Sequence, residues 1–347
     1  MFTLRFDMRA PEIGAPSTDL YSTALEMCSW AETRGCIAAV ICEHHASEDG
    51  YLPTPLILAS AIAARTDQLA LNLVVILPFY DPVRLAEEMA VLDIISKGRA
   101  SYVFGLGYRP EEYELFGIDM RARGRIADEK LGIVRRLLAG EEVTLDGRRI
   151  GVTPRPHTPG GPMLMWGGGS VAAARRAGRY GLGFLAQGNQ PGMQEAYEAA
   201  CVEHGHQPGF ALLPPRDIPS VIFVAEDVDA AWQELGPYLL HDARAYAQWN
   251  PDNDTSAGIS HVETVEELRA TSHSHKVFSV DQTLHHIQNG GMLTLSPLCG
   301  GIPPDIAWPY LHRVADVVLP AVAAAQSNVD VNGKFEALTE MFPSAQT

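Results

Sequence analysis

Leu69-Ala70-Leu71-Asn72-Leu73-Val74-Val75-Ile76-Leu77 reads LALNLVVIL, and nearly every side chain in it is apolar. A strand with one wet face alternates apolar and polar residues. A nearly continuous apolar run instead marks a parallel strand covered on its outer face by helices. The next residues agree. Asp81-Pro82 opens a helix, with an aspartate to cap free amides and a proline where no N–H is needed. That helix runs to about Ser96, Gly98 ends it, and residues 100–104 form another strand.

The same alternation extends both ways. Residues 3–9 alternate like a strand, and 19–35 read as a helix with Leu20, Ala24, Met27, Cys28 and Ala31 on one face. Residues 37–42 form a short buried strand, and 55–65 a helix. Residues 123–138 make a fourth long helix. Further strand–helix units fall at 162–166 with 170–180, 182–186 with 191–204, 220–224 with 228–247, and 292–295 with 304–322. Eight such units predict an α/β chain of the TIM type, a (β/α)8 barrel spanning residues 1–325, rather than an open doubly wound sheet. No Gly-x-Gly-x-x-Gly follows the first strand, which argues against a Rossmann domain. Two stretches interrupt the rhythm. Residues 141–161 read as a hairpin-like insertion with a Pro-rich loop. Residues 250–276 are polar and aperiodic, a candidate lid. Residues 326–347 form a tail outside the pattern.

The chain has 347 residues, 46% hydrophobic and 20% charged, enough to fill a sizeable core. Its 26 Lys and Arg against 42 Asp and Glu give a net charge of −16. That sign argues against nucleic acid or an anionic membrane as partner. Five cysteines, an odd count without a CxxC pair, fit neither a disulfide framework nor a zinc knuckle, and suit a reducing cytoplasm. The N-terminus lacks the apolar core of a signal peptide, and no stretch is long enough to span a membrane.

Three motifs follow strands, where catalytic groups of such barrels sit. Glu43-His44-His45 follows the second strand, and imidazole suits proton transfer near neutral pH. A polar loop with hydrogen-bonded histidines has the same letters. Gly167-Gly168-Gly169-Ser170 stands between a strand and an Ala/Arg-rich helix. Converging amides at a helix N-terminus make a phosphate cradle, and Ser170 can both cap and donate. A tight turn with a serine cap is the plainer reading. Phe104-Gly105-Leu106-Gly107-Tyr108-Arg109-Pro110 follows the fourth strand. Its glycines, Gly107 among them, let a flat ring approach the backbone. Arg109 can reach an anion and Tyr108 can stack or hydrogen-bond, or the segment is a turn with a surface arginine. Arg175, Arg176 and Arg179 either help hold a phosphate or pair with carboxylates. His273, His275, His285 and His286 read as solvated histidines, so no metal site is expected.

Taken together the motifs form a set. Ile41-Cys42-Glu43-His44-His45, Val75-Ile76-Leu77-Pro78, Asp81-Pro82-Val83-Arg84, Leu92-Asp93, Ser96-Lys97-Gly98-Arg99, Leu115-Phe116-Gly117-Ile118-Asp119-Met120 and the glycine turn with Arg175-Arg176-Ala177 and Gly181 resemble the bacterial luciferase-like monooxygenases. The likeness covers residues 1–200 and returns at 297–304 and in the last helix. It implies a barrel that binds reduced FMN, or in related branches the deazaflavin coenzyme F-420, with the ring against the third strand. A non-proline cis peptide supporting the ring would fall at Leu73-Val74, at a cost of about 3–4 kcal/mol. His44 matches the active-site histidine, Gly169 and Ser170 match phosphate-turn positions, and Trp166 sits where the ring edge would pass. Two departures stand out: a phosphate-binding arginine of luciferases is replaced by Gly105, and a cysteine near the flavin by Phe104. Light emission and a long-chain aldehyde substrate are not implied.

The resulting expectation is a flavin-dependent monooxygenase that takes reduced FMN from a separate flavin reductase and oxygenates a small organic substrate with O2. In it His44 moves protons and Tyr108 assists, while Leu73, Val74, Gly107, Arg109, Trp166 and Gly167–Ser170 hold the cofactor. Hydride transfer with coenzyme F-420 is the alternative enzyme, and a non-catalytic flavin-binding barrel the alternative of another class. A homodimer is expected through the helix at 81–95, whose Val83, Met89 and Leu92 exceed one core stripe.

Overall fold

A computed structural model describes residues 1–215, 217–251 and 259–326. The strands are β1 Phe2–Phe6, β2 Cys36–Ile41, β3 Ala70–Ile76, β4 Ala100–Gly105, β5 Val143–Leu145, β6 Arg148–Ile150, β7 Met163–Gly168, β8 Gly183–Ala186, β9 Ala211–Leu212, β10 Val221–Ala225, β11 His275–Ser279 and β12 Leu293–Leu295. The helices are α1 Ser17–Glu32, α2 Pro55–Ala63, α3 Pro82–Ser96, α4 Pro110–Leu115, α5 Arg123–Leu138, α6 Val171–Arg179, α7 Met193–Glu203, α8 Val228–Trp249, α9 Val265–Thr271, α10 Val280–Gln288, α11 Pro304–Arg313 and α12 Leu319–Gln326. Ten strands share a parallel sheet in the order β11-β10-β12-β1-β2-β3-β4-β7-β8-β9. β5 and β6 form the hairpin expected within 141–161. Parallel strands alternating with helices are the (β/α)8-type pattern expected from the sequence.

The chain divides into two compact units. One holds Met1–Val40, Gln68–Ala70 and the chain from Asp217; the other holds Ile41–Asp67 and Leu71–Arg216. In the second unit, Val75 of β3 stands beside Phe104 of β4, then Trp166 of β7, then Phe184 of β8. All four are buried, and Phe184 stacks on Tyr197 of α7, so this row faces the helices. Val74, Val103 and Met165 form the neighbouring row, on the opposite face of the pleat. α3 begins as its sequence demands: Asp81 accepts from the amides of Val83 and Arg84 at 3.0 and 2.9 Å.

Several expectations are corrected. β1 stops at Phe6, because Met8 takes φ 61° and turns the chain. The 250–276 stretch is not wholly irregular: α9 lies in it, capped by Thr264 with Glu267 closing a capping box, and β11 begins at its end. Residues 252–258, and the tail from 327, lie outside the described residues. Among the described residues the cis peptide bond is Thr153–Pro154; Leu73–Val74 is not cis, and β3 keeps unbroken register with β4 through both residues. Met89 and Leu92 of α3 are buried, so neither is surplus. The exposed apolar residues there are Val91, Ile94 and Ile95.

In the first unit, a charge cluster ties the end of β1 to α8. Arg9 is fully buried, its Nε 3.3 Å from Asp242 Oδ1, and its guanidinium lies 4.9 Å from the Tyr246 ring and 4.4 Å from the Trp249 ring. Asp242 Oδ2 sits 2.9 Å from His275 Nε2, and His275 Nδ1 is 2.8 Å from Ser274 Oγ. His275 is therefore a buried partner of Asp242, not a solvated side chain; its acid is 33 residues away, beyond any local pattern. Asp242, His275 and Cys299 have metal-type donor atoms within 4.8 Å of one another. Both imidazole nitrogens are committed and the carboxylate faces Arg9, so the trio is structural.

This cluster makes stability depend on pH in two opposed ways. Burial, followed by the charge of Asp242, raises the Asp7 carboxyl to about 6. Burial also pushes Asp242 upward, but His275, Arg9 and Arg5 outweigh it and hold Asp242 down to about 2. Raising a folded-state pKa favours the folded state at low pH, and that advantage is lost as pH climbs through the raised value. Stability linked to Asp7 should thus fall between about pH 4 and 6, by roughly 2–3 kcal/mol. Stability linked to Asp242 should be lost as pH falls from about 4 to 2. Urea midpoints of the Asp7→Asn variant should lack the decline between pH 4 and 6 that the parent shows; an unchanged decline would contradict the assignment.

Candidate active site

The second unit brings the motif after β2 against the turn after β4. Cys42 leaves β2, and the next three residues diverge. His44 Nδ1 lies 2.8 Å from Oε1 of Glu112, on α4, and His44 Nε2 lies 3.1 Å from the Tyr108 hydroxyl. The Tyr51 ring packs edge-on at 4.9 Å. His45 turns the other way: its Nε2 is 2.7 Å from Glu43 Oε1, and its ring packs edge-on against Phe79 and Phe116.

Two buried carboxylates thereby sort two adjacent histidines. Glu43 also accepts the Ile76 amide at 2.8 Å and the Tyr80 hydroxyl at 3.0 Å, which fastens the motif to the end of β3. Burial raises the Glu43 carboxyl above its ordinary range, against the lowering effect of these hydrogen bonds. Glu43, the chain neighbour of His44, is bonded to His45; the carboxylate that meets His44 is Glu112. No sequence motif singles out Glu112, which stands with Glu111 in the first turn of α4 behind Pro110. Glu112 and Tyr113 are buried while Glu111 is exposed, a difference that no local sequence pattern marks.

Glu112 is completely buried and collects donors. Its Oε1 accepts the His45 amide at 2.8 Å and lies 3.5 Å from Arg109 Nη1. Arg109 also donates to the carbonyl oxygens of His45 and Ala46. That arginine is thus directed into the loop after β2, not toward an anion as its sequence position suggested. Gly107 holds φ +72°, and a Cβ there would stand 2.9 Å from Ile76 Cγ2. Only glycine lets the turn after β4 settle over the end of β3 and Glu112.

The glycine turn after β7 has the form expected. Ser170 caps α6, its Oγ accepting the Ala173 amide at 3.2 Å. Gly167 and Gly168 close β7 in register with Leu185 and Ala186. Gly168 takes φ +146°, where a Cβ would meet Ala173 at 2.8 Å. At Gly169 a Cβ would stand 3.5 Å from the Gln187 side chain, an ordinary van der Waals contact, so the Gln187 side chain borders that residue. Bare backbone beside the first turn of a helix is the cradle an anionic group requires. Arg176 and Arg179 pair with Asp128.

Trp166 is placed differently from its expectation. Its ring is wholly buried on the helix-facing side, 5.2 Å from the Arg176 guanidinium. Buried in this way, it has no exposed surface to offer a bound ring. Leu73 is buried in β3 and Val74 half-buried on the opposite face. β3, β4 and β7 are direct neighbours, so the turns following them emerge side by side.

Residues 5–283 match the luciferase-like monooxygenase family. The chain is 31% identical over 176 residues to 4-hydroxyprotoasukamycin monooxygenase of Streptomyces nodosus subsp. asukaensis, covering 48% of this chain and 47% of that protein. It is 32% identical over 125 residues to the oxygenase component of flavin-dependent trigonelline monooxygenase of Acinetobacter baylyi, covering 35% of each. These matches span less than half the length of either relative. Among solved structures, monooxygenase RslO1 from Streptomyces bottropensis superposes with a TM-score of 0.73 at 24% identity, over 92% of this chain and 99% of that one. The oxygenating constituent of 3,6-diketocamphane monooxygenase of Pseudomonas putida, in complex with FMN, gives 0.67 at 19%, over 92% and 98%. An F420-dependent secondary alcohol dehydrogenase gives 0.61 at 15%, over 88% and 96%. At those identities the structures speak for the fold, whereas the family match covers most of the sequence: this chain belongs to the luciferase-like monooxygenase family.

Proposed function

We propose that the chain is a monooxygenase that uses reduced FMN and O2 on a small organic substrate. The observation that carries this reading is the presence, in one compact unit, of a Tyr108–His44–Glu112 chain and a glycine turn at a serine-capped helix N-terminus. Gly168, Gly169 and Ser170 would hold the cofactor phosphate through backbone amides and the end of α6, without help from Arg109. The turn through Gly107 and the β3 backbone at Leu73 and Val74 would border the ring. When bound, the reduced flavin supplies the electrons that activate O2. The protein orients the reactants, excludes water and moves protons between His44 and Tyr108. That one relative is named an oxygenase component supports a separate reductase as the source of reduced flavin.

The choice between FMN and coenzyme F-420 is a matter of titration, because their absorption bands differ. FMN is expected to bind, and 18O from labelled O2 should enter the product of a panel of small organic compounds. Coenzyme F-420 binding with no 18O incorporation would establish hydride transfer instead. Gly169→Val tests the cradle. A Cβ there meets only the Gln187 side chain, at ordinary van der Waals distance, so stability should hold while FMN affinity drops about tenfold or more. Unchanged affinity would remove the turn from the site. His44→Ala should lower turnover by about 10²–10⁴-fold with normal folding.

We also infer a homodimer, on a face adjusted by the structure. Ile57 of α2 is 70% exposed, and Val91, Ile94 and Ile95 of α3 are each about 40% exposed. Ile57 and Val91 line one groove of about 560 Å³, with Leu56, Tyr80 and Arg84. Exposed apolar side chains so clustered call for a cover. Light scattering should give twice the 37.7 kDa of one chain, and Val91→Glu should halve it. A parent protein with the mass of one chain would refute this.

A further inference from the structure

We propose that Glu112 is the positioning residue of this site, holding His44 with its proton on Nδ1, so that Tyr108 rather than the imidazole meets the reacting atoms. The role given to Tyr108 rests on the monooxygenase reading above; the proton position is a property of the chain alone.

The argument begins at Glu112 Oε1. A backbone N–H can only donate, and the His45 amide points at this oxygen from 2.8 Å. Arg109 Nη1, another obligate donor, lies at 3.5 Å on the same oxygen. An oxygen approached by two such donors is an acceptor. The proton in the 2.8 Å contact with His44 must therefore sit on Nδ1. Neutral His44 then presents a bare Nε2, and the group 3.1 Å from it, the Tyr108 hydroxyl, is its donor. A hydroxyl, an imidazole and a buried carboxylate in line form the arrangement in which the carboxylate selects the tautomer and the hydroxyl does the chemistry.

Exposure points the same way. The His44 side chain is only 9% exposed, and both its nitrogens are committed. Tyr108 is half-buried, at the end of the relay that faces away from the carboxylate. In the proton-accepting direction, the proton leaving the reacting group goes to the Tyr108 oxygen as the hydroxyl proton passes to Nε2. His44 becomes the imidazolium beside the Glu112 carboxylate. The reverse transfer restores both groups. The other oxygen of Glu112 is buried with no hydrogen-bond partner and lies 3.8 Å from where a Cβ on Gly107 would be. Such a group costs about 1–3 kcal/mol, which a residue kept only for stability would not be expected to carry.

The test has two arms. The full chain, labelled with 15N-histidine and free of flavin, is examined by NMR at about pH 8, where an unperturbed imidazole is neutral; His44→Gln identifies the signals. The expected result is a protonated Nδ1 and a bare Nε2, with the preference lost in Glu112→Leu, which has no acceptor, and retained in Glu112→Asp. A proton on Nε2 in the parent overturns the proposal, whatever the enzyme's reaction proves to be. In the kinetic arm, Glu112→Gln should lower kcat by about 10²–10⁴-fold with FMN affinity unchanged, and Glu112→Asp should recover part of the loss. Tyr108→Phe combined with His44→Ala should be no worse than the poorer single variant, as for groups acting as a unit. Independent, multiplying losses would overturn the relay. An inactive parent would count against the monooxygenase reading and leave the NMR arm decisive.

Discussion

One buried oxygen, Oε1 of Glu112, has to remain a bare acceptor for the site to exist in this form. It sits at 2.8 Å from both the His45 amide and His44 Nδ1. An isolated carboxylate out of water costs several kcal/mol, so it must be compensated on the spot. Arg109 does this from 3.5 Å, while its other bonds to the His45 and Ala46 carbonyls lock the loop that carries the histidines. The arginine is consumed by this duty. In the proposed site the phosphate is then met by backbone amides and the α6 dipole at the Gly168–Ser170 turn.

Successive residues in extended chain point opposite ways, and this explains why His44 and His45 have separate fates. His44 is drawn to Glu112 and Tyr108. His45 is drawn to Glu43, whose further bonds to Ile76 and Tyr80 join the ends of β2 and β3. The second histidine belongs to the scaffold that holds the first in place. Phe79 and Phe116, stacked at 4.7 Å and each edge-on to His45, close that scaffold with apolar surface.

The regular parts of this chain were legible because they are periodic. LALNLVVIL and the capped helix after it obey local rules, and the strands and helices on either side followed from the same alternation. His44, Tyr108 and the glycine turn were legible as residues at strand ends. What escaped was whatever depends on distant partners. Glu112 looks like any acidic residue in a first turn until α4 carries it under the β2 loop. Arg109 looks like an anion-binding side chain until Glu112 claims it. Trp166 occupies a suggestive position, but strand parity turns it toward α6. His275 seemed solvated because Asp242 lies on another element. β11 and α9 were missed because polar residues blur their periodicity.

A crystal structure with FMN bound tests the central claim most directly. The account predicts the phosphate at the amides of Gly168, Gly169 and Ser170, with Arg109 still on Glu112 and the Tyr108 hydroxyl closer to the isoalloxazine ring than either nitrogen of His44. A phosphate held by Arg109, with Glu112 released from His44, would contradict it.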